Sequence, residues 1–191
     1  MEIDVYVFEG WDELDAIAPY EVLAGVEGFD VHLVALDGPR EVVAAHGLAV
    51  RADAPRDRPG LIVIPGGGWS DRSGAPGVWA QVQRGDLVST AGEMHAAGTV
   101  VASVCTGAHV LAAAGLLDGR RATTHHASWH DLEQAGAVVE RGARFVDLGD
   151  VVTGGGVTSG LHLAMHLVER FASADQRAAR DAEMELTAIP Q

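Results

Sequence analysis

The chain has 191 residues, 48% of them hydrophobic, with 13 basic and 27 acidic residues and a formal charge of -14. That length and apolar content predict one domain with a sizeable core and exclude a disordered chain, and the acidic balance excludes a nucleic-acid or anionic-membrane surface because phosphates are repelled. Arginine supplies every basic residue, a single cysteine excludes an internal disulfide, Met1 runs into EIDVYVF without a signal-peptide pattern, and no apolar run spans a bilayer. The cytoplasm is therefore the expected location, and residues 1–191 the expected single domain.

Residues 2–8 alternate as a first strand. Residues 12–26 carry Leu14, Ile17, Ala18, Val22 and Leu23 at helical spacing, and Pro19 predicts a kink or two helical pieces. Residues 29–36 read as a second strand, 41–50 as a short hairpin and 60–65, GLIVIP, as a third strand buried on both faces. A helix over 79–97 contains Gly85 and Gly92, and the β-branched run 99–104 predicts a central strand. From Thr106 onward the pattern is helical until Gly115 weakens it. A strand at 121–124, a helix at 128–135, a hairpin at 145–153 around Gly149 and Asp150, an amphipathic helix at 160–172 and a final helix at 176–186 complete the chain. This alternation predicts an α/β sandwich with a mostly parallel sheet, whose site lies beyond the carboxyl ends of the strands.

Cys105 stands at the joint between the central strand and its helix, where Gly107 permits a sharp turn. Unpaired N–H groups at a helix start favour an anion, which predicts a lowered thiol pKa and a competent nucleophile. The alternative is a small buried hydrophobe. Asp15 follows the first strand and is the candidate acid or base, with a capping or surface carboxylate as its alternative. Gly66, Gly67 and Gly68 form a bare turn able to present N–H groups to an anion, and the N–H of Thr106 completes such an oxyanion site; a flexible strand exit is the other reading. His125 and His126 follow the next strand and are placed at the same pocket, with Trp69 as an apolar wall or a surface contact. His126 with His130, and His162 with His166, have i, i+4 spacing but lack the HExxH glutamate, so they read as surface or satisfied histidines rather than a metal site.

The stretches LDAIAPYEVL, IPGGG, VCTGAHVLAAAGLLDGRRATTHH and VVTGGGVTSGLHLAMHLVERF, in that order between Ile3 and Phe171, resemble the ThiJ/PfpI superfamily. The resemblance implies a flavodoxin-like three-layer sandwich with a cysteine nucleophile elbow, commonly assembled as a homodimer. Threonine after the cysteine, LLDGRRATTH and the aspartate of LD...AP resemble the branch holding isonitrile hydratases and the ligand-binding domains of AraC-type regulators. Thr106 occupies the place of the peptidase histidine, Asp15 that of the deglycase glutamate, and the chain ends at Gln191, leaving no room for the regulators' helix-turn-helix domain. His126 and His162 depart from the tryptophan and aspartate of the pattern. By resemblance, Cys105 attacks the terminal carbon of an isonitrile while Asp15 supplies a proton, Thr106 orders the site and Gly67 adds a backbone donor, with no metal or organic cofactor. Two other readings stand beside this small-molecule hydratase: a redox or electrophile-responsive cysteine protein, and a ligand-binding module without catalysis.

Overall fold

The computed structural model describes residues 1–186, so the last five positions of the expected domain lie outside the described residues. The elements run β1 (Glu2–Tyr6), α1 (Glu13–Ala24), β2 (Asp30–Val34), β3 (Arg40–Val43), β4 (Ala49–Ala52), β5 (Leu61–Ile64), α2 (Val78–Arg84), α3 (Asp86–Ala96) and β6 (Val100–Ser103). After a 3-10 turn at Cys105–Gly107 come α4 (Ala108–Ala113), β7 (Arg121–Ala122), α5 (Trp129–Gln134), β8 (Val138–Val139), β9 (Phe145–Asp147), β10 (Val151–Gly154), α6 (Ser159–Phe171) and α7 (Ala174–Glu183). The main sheet has the order β2-β1-β5-β6-β10-β9, parallel except for the edge strand β9.

Every residue of β5 is fully buried, which its unbroken LIVI run requires of a central strand covered on both faces. Helices α1 and α6 pack together, α7 rests on α6, and α2, α3 and α4 form a separate packed group, so helices flank both sides of the sheet. The result is the expected α/β sandwich with a mostly parallel sheet. No helix among the described residues is long and apolar enough to cross a membrane.

Four local expectations change. The helix expected over 79–97 is two, because Gly85 adopts φ +85 and ends α2 while starting α3. Pro19 does not divide α1, which runs unbroken from Glu13 to Ala24. The strand expected at 121–124 shortens to β7, which pairs with β8 outside the main sheet. At the elbow, a 3-10 turn replaces the first turn of the helix expected from Thr106, leaving α4 only six residues long.

The elbow packs directly on the exit of β5. A Cβ on Gly107 would lie 2.3 Å from the carbonyl oxygen of Ile64 and 2.7 Å from that of Pro65, both fixed backbone atoms. Gly107→Ala is therefore expected to destabilise the fold by about 3 kcal/mol, read as a lower denaturant midpoint at unchanged slope.

Candidate active site

The sheet order changes direction at β1, whose neighbours are β2 on one side and β5 on the other. Loops leaving the carboxyl ends of strands diverge at such a switch point and leave a crevice. Asp15 enters it from the first turn of α1, Gly66 and Gly67 from the exit of β5, and Cys105 from the exit of β6.

Cys105 holds φ +57, a left-handed conformation that costs a non-glycine residue about 1–2 kcal/mol. The surrounding chain fixes it there. Its N–H donates to Gly155 O at 2.9 Å, in the loop after β10, and its carbonyl accepts from Thr124 Oγ1 at 2.8 Å. The residue is 5% exposed, and the backbone N–H groups of Val157 and Thr106 lie near the sulfur and favour its charged form.

Asp15 is fully buried. Its Oδ2 accepts from Gly66 N–H at 3.0 Å, Oδ1 is buried without a hydrogen-bond partner among the described residues, and the carboxyl lies beside the Cys105 thiol. Burial, reinforced by the nearby charge of Asp12, pushes the carboxyl up to about 7, against the lowering contacts of the thiol and Gly66 N–H. Asp12 performs the capping duty that the sequence left open for Asp15, since its Oδ1 accepts from Leu14 N–H. A Cβ on Gly66 would come within 2.7 Å of Thr106 N, Thr106 Oγ1 and Asp15 Oδ2. Bare backbone is therefore needed for Asp15, Thr106 and the β5 exit to meet.

The lowered thiol pKa expected from the elbow is overturned. Burial, then the adjacent Asp15 carboxyl, raise it, and the two backbone donors only partly offset them. The thiol and carboxyl form one coupled unit. Below about pH 7 both groups are protonated; above it the carboxyl ionises and the remaining proton rests on the thiol, with Asp15 beside it as base. An acid or base poised near neutrality suits proton transfer at physiological pH.

Two of the expected anion donors are committed elsewhere. Gly66 N–H is taken by Asp15, and Gly67 N–H donates to Thr106 Oγ1 at 3.0 Å, so Gly67 orders Thr106 instead of facing a ligand as a free donor. Thr106 N–H faces the cysteine sulfur. Gly67, Gly68, Trp69, Cys105, Thr106 and His125 nevertheless line one open recess of about 590 Å³, together with Asp12 and Val157. Trp69 is held as its wall by stacking on buried His109 at 3.7 Å and by donating Nε1 to Asp131 Oδ2 at 2.7 Å. Burial lowers His109 to about 4, so its ring is neutral at physiological pH. His126 does not join that lining: it is exposed, tilts against His125 at a ring distance of 4.2 Å, and borders an adjoining recess.

Sequence reasoning missed Val157, Thr124 and Asp12. Val157 and Thr124 act on Cys105 through a backbone N–H and a hydroxyl respectively, which residue type alone does not announce. One group able to gather a cation, Asp12, Glu13 and His46, brings a ligand atom from each within 4.8 Å, but both Glu13 oxygens are engaged by His46.

An α/β sandwich with a strained cysteine elbow beside a buried carboxyl defines a class of proteins, and the comparisons give it a family. Residues 1–170 match the DJ-1/PfpI family, and the chain belongs to it. The isonitrile hydratase of Pseudomonas putida is 34% identical over 193 residues, covering 100% of this chain and 80% of that protein. A deglycase of Pyrococcus horikoshii is 28% identical over 155 residues, covering 78% of this chain and 83% of the relative. Among solved structures, a ThiJ/PfpI family protein from Pseudomonas syringae superposes with a TM-score of 0.86 at 26% identity, covering 99% of this chain and 76% of that one.

Proposed function

We propose that this protein is a cysteine-dependent hydratase that converts an isonitrile and water into an N-substituted formamide. The observation that carries the reading is the buried pair of Asp15 and Cys105, which holds a transferable proton near neutral pH beside an open recess. Likeness to an isonitrile hydratase along the whole chain supports the choice of substrate class.

In the proposed cycle the thiol proton passes to Asp15 and then to the terminal carbon of the isonitrile as the sulfur bonds to that same carbon. The product is a thioimidate, R–N=CH–S–Cys105, and Asp15 is left as carboxylate. Asp15 next takes a proton from water as the hydroxide adds to the thioimidate carbon, and that proton goes to the substrate nitrogen. Collapse of the tetrahedral adduct forms the C=O bond, breaks the C–S bond and returns the hydroxyl proton to the sulfur. The N–H groups of Val157 and Thr106 stabilise negative charge on sulfur when it attacks and when it leaves. Nothing in the cycle calls for a metal or organic cofactor, and we place it in a cytoplasmic homodimer acting on a small molecule.

Oxidation of a cysteine needs no neighbouring acid, whereas Asp15 lies buried beside Cys105 and is raised to about 7, where it can carry a proton; that favours the hydratase over a redox sensor. Purified protein given an alkyl isonitrile is expected to produce the formyl proton signal of the formamide in NMR. Failure to produce it from alkyl and aryl isonitriles alike contradicts the proposal.

The coupled pair also sets a pH profile. When both groups are protonated the thiol has no base, so kcat/KM is expected to rise as pH increases through about 7 and then level off. A rate independent of pH between about 5 and 9 contradicts Asp15 as the proton carrier.

A further inference from the structure

Beside the catalytic recess lies a second one of about 730 Å³, and the two share His125 and Val157. Its lining includes Arg144, His126, Trp129 and Ser159 and contains no carboxylate, although the whole chain has 27 acidic residues against 13 basic ones. Most arginines here are ion-paired, as Arg141 is with Glu133 and Arg170 with Asp147. Arg144 has no acidic partner among the described residues, and its guanidinium donates only to Thr158 Oγ1 at 3.2 Å. Ser159 is 2% exposed, and its hydroxyl makes no hydrogen bond to the protein among the described residues. Trp129 is anchored by Nε1–H donating to Thr124 O at 3.1 Å, which leaves its ring as a fixed aromatic surface.

These are the components of an anion subsite: an unpaired guanidinium, a free buried hydroxyl, two imidazoles and an aromatic wall. The net charge of -14 repels anions at long range, but that repulsion is screened beyond about 8–10 Å in physiological salt, so the local donors decide binding. The sharing of His125 and Val157 joins this subsite to the space in front of Cys105.

We propose that this second recess binds a carboxylate carried on the substituent of the substrate, with Arg144 and Ser159 as its donors, so that the preferred substrates are anionic aryl isonitriles. The proposal rests on the hydratase reading for the reacting group, while the anion subsite is a property of the recess itself.

The test compares 4-isocyanobenzoate with its methyl ester. The wild-type protein is expected to favour the carboxylate in kcat/KM, and Arg144→Gln to reduce that preference about tenfold, with Arg144→Lys retaining part of it. A preference unchanged by Arg144→Gln overturns the subsite. If neither isonitrile is hydrated, the hydratase reading has failed and the subsite is judged by calorimetric titration with benzoate. Benzoate binding that is lost in Arg144→Gln supports it; absence of binding to the wild-type protein overturns it.

Discussion

Cys105→Ala is expected to abolish isonitrile hydration and iodoacetamide labelling together, with stability within about 1 kcal/mol of wild type. The chain contains no other cysteine that could substitute, and alanine keeps the backbone conformation. The elbow should also report its own strain. Cys105→Gly removes the nucleophile equally, yet glycine adopts φ +57 without the Cβ penalty and is expected to be about 1 kcal/mol more stable than Cys105→Ala. Hydration that survives in either variant removes the nucleophile from the account. Equal stability of the two would show that the elbow stores no strain at this residue.

Asp15→Asn is expected to lower turnover by about 10²-fold or more and to eliminate the rise in rate through about pH 7. Its effect on stability has the opposite sign. Asp15 is held neutral by burial, so its folded pKa, raised to about 7, lies above the unfolded value near 3.8. The stability it contributes is fully present below about pH 4 and is lost as pH rises through about 7. Asparagine cannot ionise, so the variant should be more stable than wild type at about pH 8 by up to about 4 kcal/mol, the gap closing toward pH 4. Slower catalysis combined with higher stability at alkaline pH separates a functional carboxyl from a structural one. A near-normal rate with lower stability would assign Asp15 to packing alone.

Much of the architecture was legible because β1, β5 and β6 are short apolar runs separated by helical spacing, and strand-end loops gather at one edge of a parallel sheet. That rule groups Asp15, Gly66 to Trp69, Cys105, His125 and His126 at one pocket; of these, Gly67, Gly68, Trp69, Cys105 and His125 line the recess, while Asp15 is buried behind it with Gly66 on its Oδ2. Elements as short as β7 escaped, since two residues carry no periodicity. The thiol was misjudged for a physical reason. The positive end of a helix lowers a pKa only when its field exceeds desolvation, and here a 3-10 turn leads into a six-residue helix while the sulfur is almost wholly enclosed beside a carboxyl. Burial depends on what packs over a residue from distant segments. The same limit hid Val157, whose contribution is a backbone N–H from the loop before α6. It also hid the separation of His126 from His125, since adjacent residues on a turn can face different recesses.

The central claim is that Cys105 becomes covalently bonded to substrate carbon while Asp15 moves the protons. Intact-protein mass spectrometry of samples acid-quenched during turnover tests it most directly. The wild-type protein should carry a fraction with the added mass of one isonitrile, mapped by proteolysis to the peptide containing Cys105, and Cys105→Ala should carry none. Formamide production with no adduct at Cys105 at any quench time, or an equal adduct in Cys105→Ala, would contradict the account.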